Sequence, residues 1–538
     1  MAAHRLAVAF FAFVAVSHGT PTVQIRNGTY RGVFNLDFEQ DFFLVMPFAQ
    51  TPVGDLRLRI PQSLNTSWTG TRNADAYSSA YIGYSSPGNE LVPEEQMSED
   101  CLTINVIRPA GILPNASLPV AVWIHGGVLV EGSSREPSYN LSFIVQKSVE
   151  MGYPIIAASM NYRLSAWGFL YGNAMAKEGS DHLGYRDQRL ALHWIQENIG
   201  AFGGSSQKVT LFGKSAGAWS VGAQLLAHGG RDDGLFRAAV LQSGAPIWAE
   251  PDHTFTANNW EPIYQTAAES VKCGNITDTV ACLRNVPVQQ LSEAFRTSLA
   301  ALSFDLGHYV DGDFFETSTQ VQLSQGAVPR VPILLGTNFD EGVGFGQIGV
   351  NTTEQFLDAI QKSQASKAAA LEIAAVYPED PDVGIPASLQ HRPSGNLTYL
   401  GAQYKRMAAY GGDLMMHAPR RFFARALAAY NHTVYNYHWN VVTGSPEQGA
   451  NHFAEVPVVF NDVSQFKEHP KFSQFSRHAD TMSITCQKWP TYRVNNMKNF
   501  VFDVNIDDLV HDEPDDYREA AMRKLTGIMF SITRRLST

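Results

Sequence analysis

Short apolar runs alternate with amphipathic stretches through most of this chain. Residues 119–124 read as a buried strand ending in His125-Gly126-Gly127, and residues 154–159 as a second, followed by Asn161-Tyr162-Arg163. Residues 187–199 place Leu190, Ala191, Trp194 and Ile195 at helical spacing. Residues 209–212 form a short apolar run, and 215–227 have helical composition. Residues 236–241 and 331–335 predict two more strands, and 435–441 alternate like a late one. Strand and helix in alternation predict an α/β fold with a large, mostly parallel central sheet flanked by helices. With no repeat, low-complexity tract or Pro/Gly-rich linker, residues 20–538 read as one domain behind a leader at 1–19.

That leader has three parts. Residues 1–5 carry positive charge, 6–16 are apolar, and Ser17-His18-Gly19 supply small residues before Thr20. The layout is that of a secretory signal peptide cleaved before Thr20, and the apolar run is too short to span a bilayer. No later stretch predicts a transmembrane anchor, and the C-terminus lacks a hydrophobic tail for a lipid anchor. Export fits the N-x-S/T sequons at Asn27, Asn65, Asn115, Asn140, Asn275, Asn351, Asn396 and Asn431, which predict a glycosylated, secreted protein. In an oxidising compartment the four cysteines can bridge. Cys273 and Cys282 flank a sequon and predict a small disulfide-closed loop; Cys101 and Cys486 are left as a second pair or as two free thiols. The rest of the composition is that of an ordinary globular chain, 44% hydrophobic and 17% charged, so a large core needs no further staples. A net charge of −11 without a basic cluster argues against a nucleic-acid partner.

The chemistry starts at Gly213-Lys214-Ser215-Ala216-Gly217, the only G-x-S-x-G in the chain. It follows the 209–212 strand and opens the 215–227 helix, the strand–turn–helix setting a nucleophile elbow requires. The turn is too sharp for Cβ atoms two residues either side of the serine. The serine itself must take a strained backbone that aims its hydroxyl off the sheet edge, at a helix N-terminus that favours negative charge.

Together with this elbow, Glu99-Asp100-Cys101-Leu102-Thr103-Ile104-Asn105-Val106, Asn161-Tyr162-Arg163, Gly168-Phe169-Leu170, Gly184-Tyr185-Arg186-Asp187-Gln188 and Phe202-Gly203-Gly204 make the chain resemble the type-B carboxylesterases. That family includes cholinesterases and secreted fungal esterases and lipases. The likeness runs in order from about Val23 to the last helix. It implies an α/β-hydrolase fold and a serine carboxylesterase or lipase acting on small-molecule carboxylic esters through an acyl-enzyme, with no metal and no organic cofactor. In chain order the acid follows the serine and precedes the histidine. The resemblance places the acid at Glu341, just past the 331–335 strand, with Asp340 as its rival, and the base at His452 in Gly449-Ala450-Asn451-His452. His438 lies inside a predicted strand and reads as a hydrogen-bonded core histidine; nothing recommends His417 or His432. The oxyanion hole falls to the backbone N–H groups of Gly127, Val128 and Ala216, where losing one donor typically costs about 10² to 10³ in turnover.

Three positions depart from the family. Val128 stands where a glycine or alanine is usual; its N–H survives, but a β-branched side chain resists glycine's backbone angles. Lys214 replaces the usual glutamate before the nucleophile. At ~6 Å and an effective dielectric of about 20, its cation would oppose a His452 imidazolium by roughly 3 kcal/mol, near a hundredfold in rate. A Lys214–Glu455 ion pair is expected to blunt that penalty. The family's cysteine before the flap is replaced near Tyr81, leaving Cys101 without that partner, and the 81–99 segment is short for a lipase lid. A small, untethered flap predicts soluble short esters over emulsified triglyceride. Residues 483–490 also look abbreviated.

Two patterns are decoys. Gly344-Phe345-Gly346-Gln347-Ile348-Gly349 spells a dinucleotide motif, yet no strand runs directly into it and no helix opens on it. His452-x-x-Glu455 lacks the companion ligands of a zinc site. A different class of function stays open: a catalytically impaired or non-catalytic binding protein on the same scaffold, since fold alone does not fix function.

Overall fold

The computed structural model describes residues 19–84, 92–247, 257–299, 309–362, 365–442, 444–461, 489–503 and 510–530. The expected signal peptide up to residue 18, Cys486, the 483–488 stretch and the middle of the 81–99 flap lie outside these residues. In chain order the strands are β1 (Thr22–Gln24), β2 (Thr29–Arg31), β3 (Val33–Asn35), β4 (Gln40–Pro47), β5 (Thr71–Asn73), β6 (Thr103–Pro109) and β7 (Leu118–Ile124). They continue with β8 (Ile156–Met160), β9 (Gly204–Lys214), β10 (Ala238–Gln242), β11 (Ile333–Asn338), β12 (Val434–Trp439), β13 (Lys498–Phe502) and β14 (Val510–Pro514).

Eleven of them make one sheet in the order β14-β13-β12-β11-β10-β9-β7-β8-β6-β4-β3; β1, β2 and β5 form a small separate sheet. From β8 through β13 all neighbours pair in parallel, while β3, β4, β6 and β14 add antiparallel edges. This is the α/β-hydrolase arrangement that the alternation and the resemblance predict. Helices cover the parallel strands, so strands such as Leu118–Ile124 and Ile156–Met160 are apolar almost throughout. Trp123 on β7 packs at 4.9 Å from the rings of Tyr139, Phe212 and Phe460.

Some boundaries moved. The 209–212 run lies in the second half of an eleven-residue strand that starts at Gly204, and the 187–199 helix begins earlier, at Leu183. The elbow helix spans Ala216–Gly230, with non-helical backbone at Ala227, His228 and Gly229.

Cys273 and Cys282 form a disulfide that closes the loop bearing Asn275. Cys101 is a buried free thiol, and burial pushes its pKa well above the usual range. Asn65, Asn115, Asn275, Asn351, Asn396 and Asn431 are exposed; Asn27 and Asn140 are half-buried, and Asn140 caps the helix Leu141–Glu150 through Ser142 N–H. No helix among the described residues is long and apolar enough to cross a membrane.

The chain leaves β7 outward to β8 and returns on the other side to β9, so the strand order reverses between β7 and β9. In open α/β sheets, ligands bind in the crevice outside the strand C-termini at such a reversal. Gly126-Gly127 follow β7 there, and Ser215 follows β9.

Candidate functional site

Ser215 sits one residue past β9 with φ 59° and ψ −125°, a backbone that L-residues adopt only when surroundings force it. What forces it is crowding. A Cβ at Gly213 would lie 2.5 Å from the Gly217 carbonyl group, and one at Gly217 would collide with the Ile124 carbonyl oxygen on β7. The Ser215 N–H donates to Gln242 O at the end of β10 (2.9 Å), which fixes the turn from the other side.

The neighbouring turn after β7 is equally tight. A Cβ at Gly126 would lie 2.6 Å from Lys214 O and 3.3 Å from Ser215 Cβ, so this loop lies directly on the elbow. Gly127, Val128 and Leu129 all have positive φ, 103°, 57° and 62°. Val128 therefore does adopt a conformation that its β-branched side chain disfavours. Among the described residues, the N–H groups of Gly127 and Val128 have no protein acceptor. His125 underpins the loop: its ring stacks on Tyr162, whose hydroxyl donates to His125 O at 2.8 Å, and burial lowers the imidazole to about 4.

Glu341 opens a short helical turn just past β11 and is fully buried. Its Oε2 accepts from His452 Nδ1 at 2.5 Å, and its Oε1 accepts from the Asn338 N–H at 2.8 Å. Burial pushes its carboxyl up, but Lys214 and His452 more than reverse that and hold it well below the usual carboxylate range. Asp340, the rival acid, faces elsewhere. Its Oδ2 accepts from the Ala450 N–H at 2.8 Å, its own N–H donates to Ala450 O at 3.0 Å, and burial raises its carboxyl to about 6. Asp340 ties the histidine loop to β11; Glu341 meets the imidazole.

Lys214, fully buried, extends from the end of β9 toward the same imidazole. Its Nζ lies 3.1 Å from Glu455 Oε1, the ion pair expected from the sequence, and 3.4 Å from His452 Nδ1. It thus approaches the ring edge that faces Glu341. Ser215, Lys214, Glu341, His452 and Glu455 gather at one rim of the sheet; no hydrogen bond joins Ser215 Oγ to His452 among the described residues. Hydrogen bonds of this kind are often long before substrate arrives.

A carboxylesterase family profile matches residues 19–489. The chain belongs to the carboxylesterase family. It is accordingly a carboxylic ester hydrolase. Among curated relatives it is similar to lipase 4 of Diutina rugosa, 35% identical over 84% of this chain and 85% of the relative. It is also similar to lipase 2 of Geotrichum candidum, 32% identical over 88% and 93%, and to a secreted triacylglycerol lipase of Gibberella zeae, 33% identical over 82% and 78%.

Several residues that shape this carboxylesterase's site were not singled out from the sequence. Asn338 Nδ2 donates to Glu455 Oε2 at 2.5 Å and to Asn451 O at 2.7 Å, so one amide holds both flanks of His452. Its sequence signal was its place shortly past a predicted strand, 331–335, which the structure extends to Asn338. Gln242, which anchors the elbow, has the same signal. Phe345 packs edge-on to the His452 ring at 4.9 Å, inside the stretch that mimics a dinucleotide motif. Gly346 of that stretch permits close packing on the helix Tyr404–Gly412, where a Cβ would lie 2.8 Å from the Met407 backbone. His438 is buried with Nδ1 2.9 Å from Glu513 Oε1, and His417 is buried with Nδ1 3.1 Å from Thr337 Oγ1. His432 is buried too, and burial lowers its pKa.

Proposed function

We propose that Ser215, His452 and Glu341 act as nucleophile, base and acid of a secreted carboxylesterase that works through an acyl-enzyme. The observation that carries this reading is the 2.5 Å bond from His452 Nδ1 to the buried Glu341 carboxylate, on a loop pinned against the elbow. That bond favours the tautomer with its proton on Nδ1 and a lone pair on Nε2. Ser215 Oγ attacks the ester carbonyl carbon as its proton passes to Nε2, and Glu341 stabilises the imidazolium. The carbonyl oxygen becomes an oxyanion and accepts from the N–H groups of Gly127, Val128 and Ala216, which cost no reorganisation because the glycine turn and the helix N-terminus already fix them. The C–O bond breaks, the alcohol leaves with the proton from Nε2, and Ser215 is acylated. Water then repeats the sequence, releasing the acid and restoring the serine. Nothing in these steps calls for a metal or cofactor.

Export is supported by the charged, apolar and small-residue order of 1–19, by the sequons, and by the relative from Gibberella zeae that is itself named as secreted. The short 81–99 segment supports soluble short esters as substrates. Labelling with a fluorophosphonate probe tests the nucleophile: wild type labels and Ser215→Ala does not. An unlabelled wild type overturns the reading and leaves a binding protein on an esterase scaffold. A p-nitrophenyl ester series should peak at short acyl chains; activation at a lipid emulsion would reject that preference.

A further inference from the structure

We propose that Glu455 is a positioning residue whose carboxylate keeps the Lys214 ammonium from fixing His452 in the unproductive tautomer. The inference rests on the triad reading above. Two neighbours make opposite demands on His452 Nδ1. Glu341 Oε2, at 2.5 Å, can only accept, so it selects a proton on Nδ1 and leaves the lone pair on Nε2. Lys214 Nζ, at 3.4 Å from the same atom, can only donate, so it selects a bare Nδ1 with the proton on Nε2. A ring in that second form has no lone pair with which to take the Ser215 proton.

Lys214's other partner decides between them. Glu455 Oε1 is 3.1 Å from Nζ, and the two side chains are 0% and 1% exposed, so water does not stand in for either. The contact lacks hydrogen-bond alignment and acts through charge. Glu455 is held from its other oxygen by Asn338, which also grips Asn451 beside the histidine. The carboxylate is therefore fixed in place, and the flexible lysine leans on it. Without that charge, the ammonium is left with His452 Nδ1 at 3.4 Å and with the attraction of the Glu341 carboxylate, the two ends of the bond that sets the tautomer.

The test compares Glu455→Gln, Lys214→Met and the double variant on a soluble p-nitrophenyl ester, with the His452 tautomer read by ¹⁵N-histidine NMR. Glu455→Gln should lose at least about 10² in kcat, part of the ~10⁴ that a fully wrong tautomer costs, with KM within about threefold. Its His452 signal should move to the Nε2–H form. Adding Lys214→Met should restore the Nδ1–H signal and bring kcat back to within about fivefold of Lys214→Met alone. Should Glu455→Gln not fold, Glu455→Asp carries the same comparison, with a smaller loss that Lys214→Met still relieves. The proposal is overturned if the Gln variant keeps its kcat, if its ring stays protonated at Nδ1, or if the double variant is no better than the single. Failure of the triad reading shows separately, as absent phosphonate labelling of wild type, because the ring tautomer is measured without turnover.

Discussion

Asp340 and Glu341 are adjacent carboxylates in opposite electrostatic situations, and replacing Asp340 by asparagine separates their roles. Burial raises the Asp340 carboxyl from 3.8 to about 6, against the pull of the Ala450 N–H, Arg518 and Lys405. One oxygen accepts from Ala450 and the other has no partner among the described residues. Between about pH 4 and 6 the folded chain holds a proton here that the unfolded chain has released, so stability falls as pH rises through that window. The shift of 2.2 units (6 − 3.8) corresponds to about 3 kcal/mol above pH 6. An asparagine carries no charge, and its oxygen can still accept from Ala450. At pH 8, Asp340→Asn should therefore gain up to ~3 kcal/mol. With an unfolding entropy near 2.1 cal/mol/K per residue, or about 1 kcal/mol/K for a chain of this length, Tm should rise by ~1–3 °C.

At pH 4 the folded wild type is already protonated at this carboxyl, and the advantage should vanish. Glu341 contributes with the opposite sign. Its folded pKa is depressed, so its stabilisation is present above the ordinary glutamate range and is lost as pH falls below it. Wild type and Asp340→Asn both keep Glu341, so the difference between their calorimetric melts at pH 4 and pH 8 reports Asp340 together with its repulsion of Glu341. In the same preparations Asp340→Asn should keep turnover within about tenfold, while Glu341→Gln should lose about 10⁴. An Asp340→Asn protein that melts below wild type at pH 8 would refute the burial argument. One that loses activity as Glu341→Gln is expected to would make Asp340 the acid.

Val128→Gly should hold turnover within about tenfold, because the proposed oxyanion donor is the backbone N–H; a 10²–10³ loss, the size of a missing donor, would mean the valine side chain sets the loop. Thermal unfolding of the same variant should show relief of the left-handed backbone at φ 57°, about 1 kcal/mol before glycine's entropy is subtracted. Replacing Cys273 and Cys282 together by alanine opens a loop of nine-residue separation and should cost ~2.5 kcal/mol by calorimetry, with turnover unaffected. An unchanged melt would mean that the loop is held by its packing alone.

Strands buried on both faces were legible because helices on either side leave them few polar positions, as at Leu118–Ile124 and the first half of Ile333–Asn338. The elbow was legible for a related reason. Its glycines are demanded by backbone collisions within a few residues, and such local demands leave a mark in the chain. Contacts between distant loops leave none. Asn338 joins Asn451 and Glu455 across more than a hundred residues, and nothing in its own neighbourhood announces that. The antiparallel strand β6 (Thr103–Pro109) was seen only as a motif, since its uniform burial, which includes Asn105 and Arg108, shows neither alternation nor a helical period. The Lys214–Glu455 pair was accessible from the sequence only because one departure from a family pattern, Lys214, falls beside a position where Glu455 keeps the usual glutamate.

That compensation can be weighed from the distances. At an effective dielectric of 20, the Lys214 ammonium at 3.4 Å would oppose an imidazolium by about 5 kcal/mol, more than the roughly 3 kcal/mol given by a 6 Å separation. Glu341 at 2.5 Å favours the same imidazolium by about 7 kcal/mol on that scale. Glu341 alone therefore offsets the lysine only narrowly. Glu455, 3.1 Å from the ammonium, supplies a second negative charge and moves the balance further toward the charged ring. A lysine beside the proposed nucleophile is compatible with the proposed general-base chemistry on one condition. Both carboxylates must stay ionised against the cost of their burial, and Asn338 donates to one oxygen of each while the Lys214 ammonium lies 3.1 Å from Glu455.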